Sequence, residues 1–243
     1  MNKLDVKGVI FDYGGTLDTR GDHWSEVLWD GYQHMNVEVK KEDFRKAYVH
    51  GERSLATNPI IQPDFHFVDV LRAKNKLQLD YLTENGMLQI SNLAKVDLAE
   101  RMALYENEQT NEVLEESKSV LEYLKDRYPM VLVSNFYGNI RTVLCDAHLD
   151  GFFKDIVESA VVGVRKPNPA IFALGVCALD LPASEVLVVG DTYGKDIVPA
   201  HRLGCHTIWI KGRQWEDKPA DESICDDVIT RLEDMLKFVS QNA

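Results

Sequence analysis

Short unbroken apolar runs alternate along this chain with longer stretches in which apolar positions recur every three to four residues. Val9, Ile10 and Phe11 form the first run. They predict a short buried strand that ends in Asp12 and turns at Gly14-Gly15. From about Asp22 to Tyr105 the pattern is helical. Val27, Leu28, Tyr32 and Met35 share one face, and Phe44, Ala47, Tyr48 and Leu55 share another. Val68, Leu71, Leu82, Leu88, Leu93, Val96 and Leu98 continue in the same style. Asn58-Pro59, Gln62-Pro63 and Glu84-Asn85-Gly86 punctuate this region, which carries no convincing strand pattern.

From Asn111 strands and helices alternate. Val113, Leu114, Val120, Leu121 and Leu124 line one helix face, and Pro129 stops that helix. Met130–Val133 is an apolar strand that ends in Ser134-Asn135. A helix near 140–147 and a short strand around 155–158 follow. Lys166-Pro167-Asn168-Pro169 opens a helix over 170–179, with proline in its first turn. Val186–Val189 is a strand ending in Gly190-Asp191, and the pattern continues as helix 194–203, strand 206–210 and a short strand 227–229. A closing helix carries Leu232, Met235, Leu236 and Val239 on one face. Unbroken apolar strands between helices predict a parallel sheet covered on both faces. The expected fold is therefore α/β, with a Rossmann-like core formed by residues 1–18 and 106–243 and an all-helical insertion at 19–105.

Composition narrows the partners more than the fold. The 243 residues suffice for a large core, and a net charge of −12 argues against nucleic acid or an anionic membrane as the main partner. A small anionic substrate stays compatible, because a metal ion and a few cations can dominate a local site. Cys145, Cys177, Cys205 and Cys225 are widely spaced and make no zinc or disulfide pattern. With no signal-peptide core at the start and no bilayer-length apolar run, a cytoplasmic location is expected. Oligomeric state is not readable from the sequence.

Three predicted strands end in polar residues: Asp12, Ser134-Asn135 and Asp191. In a parallel sheet these ends share one edge, where open α/β sheets bind ligands. Lys166, on the loop entering a helix, adds a cation. The chain here resembles the haloacid dehalogenase (HAD) superfamily of aspartyl-nucleophile hydrolases. The matching motifs are Phe11-Asp12-x-x-Gly15-Thr16-Leu17-Asp18, Ser134-Asn135, Lys166-Pro167 and Gly190-Asp191-x-x-x-x-Asp196, and the helical insertion falls where one branch of that superfamily carries its cap.

The resemblance implies Mg²⁺-dependent hydrolysis of a small phosphorylated substrate through an aspartyl-phosphate on Asp12. It implies Mg²⁺ ligation by Asp12, the Gly14 carbonyl and Asp191, a hard oxygen set. Ser134 would hydrogen-bond the phosphate, and Asn135 would shape its pocket. Lys166 would neutralise charge on nucleophile and phosphoryl group. Asp196 would orient Lys166 or a metal-bound water.

One departure stands out. HAD phosphatases generally carry a second aspartate, the general acid–base, where this chain has Gly14. Tyr13, His23, His34, His50 and His66 are candidates to replace it. Arg53, Arg72, Lys40, Lys41 and Trp24 are candidate cap contacts. Two alternatives remain: a metal-free 2-haloacid dehalogenase, whose branch also lacks that aspartate, and a catalytically weak phospholigand-binding member. A phosphonate hydrolase would need a cap lysine able to form an imine, and the sequence assigns none.

Overall fold

The computed structural model describes residues 5–215 and 219–239. Six strands form one sheet: β1 (Gly8–Phe11), β2 (Met130–Ser134), β3 (Asp155–Glu158), β4 (Val186–Gly190), β5 (His206–Ile210) and β6 (Asp227–Ile229). Their spatial order is β3-β2-β1-β4-β5-β6, and every neighbouring pair is parallel. β1 thus lies centrally between β2 and β4, where the chain's winding reverses. Such a reversal opens a crevice beyond the carboxyl ends of the strands.

The apolar runs are explained by burial on both faces. Val9, Phe11, Leu132, Leu187, Val189 and Ile208 pack into the larger core cluster. Ile10, Val131, Val133, Val186 and Val188 point the other way, against Ile171 and Phe172. Those two belong to helix α7 (Ala170–Leu179). With a period of two, each strand serves both cores, which is why no polar residue interrupts it.

Between β1 and β2 the chain is helical: α1 (Trp24–His34), α2 (Lys41–Thr57), α3 (Phe67–Glu84) and α4 (Asn92–Leu124). α2 stops before Asn58-Pro59, and α3 stops before Gly86, whose φ is +69°. α4 is an unbroken helix of 33 residues. The expected boundary at 105/106 falls inside it, and no proline or glycine interrupts it there. Its amino-terminal half packs within the insertion through Ala99, Met102 and Ala103, while Val120, Leu121 and Leu124 join the core under the sheet.

After β2 come α5 (Ile140–Asp146), a one-turn α6 (Ser159–Val162), α7 (Ala170–Leu179) and α8 (Val198–Leu203). Two expectations change here. The helix expected over 194–203 begins as a wide π turn at Tyr193–Ile197, and only then becomes α8. The expected closing helix is a 3₁₀ segment, Leu232–Lys237, which still buries Leu232 and Met235. No helix among the described residues is long and apolar enough to cross a membrane.

Candidate active site

Asp12 follows β1 directly, and its N–H donates to the Val189 carbonyl of β4 at 3.0 Å. The backbone is therefore still in sheet register when the carboxylate reaches the strand ends. The Tyr13 N–H donates to Asp12 Oδ1 at 2.7 Å, and Lys166 Nζ lies 2.7 Å from the same oxygen. Lys166 Nζ also lies 2.6 Å from Asp196 Oδ1, so one ammonium joins the two carboxylates. All three side chains are buried.

Lys166 is fixed through its own backbone. Asn135, just beyond β2, accepts from the Lys166 N–H at 2.9 Å and donates to the Lys166 carbonyl at 3.2 Å. Asp196 is fixed by the π turn: its Oδ2 accepts from the Thr192 N–H at 3.0 Å. A regular α-helix places the residue after a strand differently, and the π turn folds Asp196 back against Gly190. A Cβ at Gly190 would come within 2.4 Å of the Asp196 Cβ.

Asp191 completes the group. Its Oδ2 accepts from the Thr192 hydroxyl at 3.0 Å, while its buried Oδ1 has no hydrogen-bond partner. Gly15 makes room for it. At φ +96°, a Cβ on Gly15 would sit 2.3 Å from the Asp191 carboxyl carbon, so both conformation and space require glycine. Carboxylate oxygens of Asp12, Asp191 and Asp196 lie within 4.8 Å of one another.

Three carboxylates and one ammonium in a buried cluster leave negative charge in excess. Burial, restrained by Lys166, pushes the Asp12 carboxyl up to about 6. Burial, with Asp196 and Asp12 nearby, holds Asp191 well above the carboxylate range. Burial lowers the Lys166 ammonium's pKa, but Asp12 and Asp196 outweigh it and the net shift is upward. A hard divalent cation fits this donor set: it would supply the missing positive charge and satisfy the unpartnered Asp191 Oδ1. Asp18, although it accepts from the Gly15 N–H at 2.6 Å and Trp24 Nε1 at 3.0 Å, is pushed up to about 8 by burial.

A cavity of about 520 Å³ opens over this cluster, lined at its floor by Asp12, Gly14, Ser134, Asn135, Lys166, Asp191 and Asp196. All seven residues expected at the site thus border one space. Of the candidate cap contacts, Trp24 and Arg53 line it. Arg72 is instead paired with Asp69 and Glu100, and Lys41 with Glu26, while Lys40 is exposed at the start of α2.

The candidates for the missing acid–base separate as cleanly. Tyr13 is buried edge-on against Phe67 and Phe136, behind the lining of the cavity and not part of it. His34 stacks on Tyr105, His50 lies against Tyr81, and His66 pairs with Asp146; none lines the cavity. Only His23 borders it, and there burial and the Lys195 charge hold its pKa down to about 4, so the ring is neutral near pH 7. Beside Gly14 the space belongs to Trp24, whose Cδ1 and Nε1 would both lie 3.6 Å from a Cβ at position 14.

The sequence pattern missed one group entirely. Lys74 of α3 lines the cavity, buried, with Nζ 2.7 Å from Glu52 of α2; Tyr137, after β2, donates its hydroxyl to the other Glu52 oxygen at 2.9 Å. Burial opposes the Lys74 charge, but Glu52 and the neighbouring tyrosines prevail and raise its pKa well above the ordinary lysine value. An amine must be unprotonated to attack a carbonyl, so Lys74 as held here does not fit the imine-forming lysine of a phosphonate hydrolase.

The whole chain now has relatives to stand beside. Residues 6–204 match the family model of haloacid dehalogenase-like hydrolases, and the chain belongs to that family. A glyceraldehyde 3-phosphate phosphatase from Pyrococcus abyssi is 35% identical over 92 residues, which span 37% of this chain and 39% of that relative. A phosphoglycolate phosphatase from Vibrio parahaemolyticus is 24% identical over 250 residues, 100% of both chains. The magnesium-bound crystal structure of the putative HAD-hydrolase YfnB from Bacillus subtilis superposes with a TM-score of 0.61 at 20% identity, covering 97% of this chain and 99% of that one. At that identity the likeness speaks for the fold.

Proposed function

We propose that this hydrolase is a Mg²⁺-dependent phosphatase acting on a small phosphorylated metabolite through a phosphoryl group carried on Asp12. The observation that carries the reading is the Asp12–Lys166–Asp196 arrangement, with an ammonium 2.7 Å from one carboxylate and 2.6 Å from the other, beside Asp191 with its unpartnered oxygen. Relatives named as phosphatases of small phosphorylated compounds support the substrate class.

Asp12, the Gly14 carbonyl and Asp191 would hold the Mg²⁺, which when bound supplies charge neutralisation at the phosphoryl oxygens. Lys166 keeps Asp12 ionised for attack on phosphorus and offsets charge in the loose transition state. Ser134, at the end of β2, hydrogen-bonds a phosphoryl oxygen. Asn135 holds the Lys166 backbone, and Asp196 holds its ammonium. Attack of the Asp12 oxygen forms an O–P bond as the ester oxygen departs with its electron pair. Water then cleaves the aspartyl-phosphate.

Gly14 leaves both steps without the usual carboxylic acid–base. That assistance is commonly worth about 10²–10⁴-fold. The enzyme is therefore slow, and favours esters whose leaving groups need little protonation. The same glycine favours a second reading, metal-free attack of Asp12 on the carbon of a 2-haloacid. The test is phosphate release from p-nitrophenyl phosphate, and halide release from 2-chloropropionate, with EDTA and with Mg²⁺. Phosphate release that EDTA abolishes and Mg²⁺ restores supports the phosphatase; halide release at full rate in EDTA overturns it.

A further inference from the structure

The cavity wall opposite the carboxylate cluster is built around a charge that the chemistry at Asp12 does not use. Lys74 Nζ donates to Glu52 at 2.7 Å, with the Tyr137 hydroxyl as a second neighbour, so at most two of its three N–H groups are engaged. It lies 5.8 Å from the Trp24 ring centre and 5.2 Å from that of Tyr137. An ammonium carries three N–H donors, and aromatic faces attract the charge without consuming them all. Lys74 is thus a buried cation with donor capacity in reserve on the inner surface of a substrate cavity. Glu52 and Tyr137 fix its position, since the tyrosine hydroxyl occupies the second Glu52 oxygen.

Trp24 joins the two sides of the cavity. Its indole edge borders the space beside Gly14, and Lys74 Nζ lies 5.8 Å from the centre of the same ring. Asp12, Trp24 and Lys74 thus line one space. The cavity mouth adds exposed Arg53, Arg165 and Lys195, which have no ion pair among the described residues. This local excess of cations stands on a chain of net charge −12. Cations concentrated in a cleft of an acidic protein favour entry of an anionic ligand.

We propose that Lys74 is a specificity-determining residue that receives a carboxylate on the leaving group, so that the preferred substrate is a phosphorylated hydroxy acid. This rests on the phosphatase reading for turnover, but not for binding. A charge-assisted hydrogen bond is directional and strong, and replacing the carboxylate by an amide removes its charge while keeping its shape. The alternative is that Lys74–Glu52 only holds the cap together, in which case its loss weakens every ligand alike.

The experiment compares 2-phosphoglycolate with its amide, 2-(phosphonooxy)acetamide, on the Mg²⁺-loaded protein. Affinity is read by calorimetry on Asp12→Asn protein with and without Lys74→Met or Lys74→Arg, and kcat/KM is read in the Asp12 background. Lys74→Met is expected to weaken the acid at least about tenfold more than the amide, and Lys74→Arg to retain most of the preference for the acid. Equal weakening of both ligands by Lys74→Met, or no preference for the acid in the parent, overturns the proposal. Circular dichroism and melting of each variant report folding; if Lys74→Met does not fold, the acid-to-amide ratio of the parent and of Lys74→Arg decides. Binding that discriminates without phosphate release from either ester overturns the phosphatase reading and leaves the Lys74 subsite standing.

Discussion

The sheet edge and the helical cap both bury charge, but they balance it differently. In the cap, Glu52 is matched by Lys74, while Glu106 makes no ion pair among the described residues and burial pushes its carboxyl pKa well up. At the sheet edge three carboxylates share one ammonium. Burying an unbalanced charge costs several kcal/mol unless something compensates it. The cap compensates within the chain. The edge leaves its excess unbalanced within the chain, the difference that the proposed cation would remove.

Removing the single cation at the edge should have the largest effect. Lys166→Met is expected to lower kcat/KM for phosphate esters by roughly 10³-fold, the scale of losing a preorganised electrostatic stabiliser. The sign of the accompanying pH effect is fixed. Lys166 restrains the Asp12 pKa, so its loss raises that pKa further and moves the acid limb of the pH–rate profile upward. An unchanged limb would separate Lys166 from the nucleophile.

Gly14→Asp should come next. A Cβ there meets Trp24 at 3.6 Å, an ordinary contact, so the first side-chain atom fits. The variant should accelerate alkyl phosphate hydrolysis by about 10²-fold and aryl phosphate hydrolysis far less, because only poor leaving groups need the proton. Equal acceleration of both classes would point to dephosphorylation, rather than leaving-group departure, as the step Gly14 slows.

The smallest effect belongs to the cap. Glu106 is fully buried, accepting from Asn75 Nδ2 at 2.7 Å, and burial raises its pKa well above the ordinary 4.5. Below that value both folded and unfolded chains carry the proton. As pH rises above 4.5, only the unfolded chain ionises freely, so wild-type stability falls by at most about 1.4 kcal/mol per pH unit until the folded carboxyl ionises. Glu106→Gln should match wild type near pH 4.5 and exceed it at pH 7 in urea unfolding. A pH-independent difference would mean that Glu106 is compensated after all.

The sheet edge was legible because its chemistry is local in sequence. Asp12, Ser134 and Asp191 each follow an apolar strand within a residue or so, and parallel pairing brings those ends together without further information. Lys166 lies far along the chain, but Asn135 clasps its backbone, so the two motifs meet through adjacent loops. The cap was legible only as helices. Lys74 resembles any solvated helical lysine until α2 and the loop after β2 bring Glu52 and Tyr137 to it. Arg72 and Lys41, with the same local appearance, are taken up by ion pairs with Glu100 and Glu26. The continuity of α4 was hidden because its two halves bury against different layers, so the apolar face changes character without a breaking residue. The π turn before α8 likewise has no composition of its own; its effect shows in where Asp196 points.

The central claim is that Asp12 carries the phosphoryl group. The direct measurement is mass spectrometry of protein mixed with p-nitrophenyl phosphate and Mg²⁺ and quenched in acid during turnover. The account predicts one added phosphoryl group on the peptide containing Asp12 in wild type and none in Asp12→Asn. Phosphate release at the full rate from Asp12→Asn protein, with no adduct on the wild type, would contradict it.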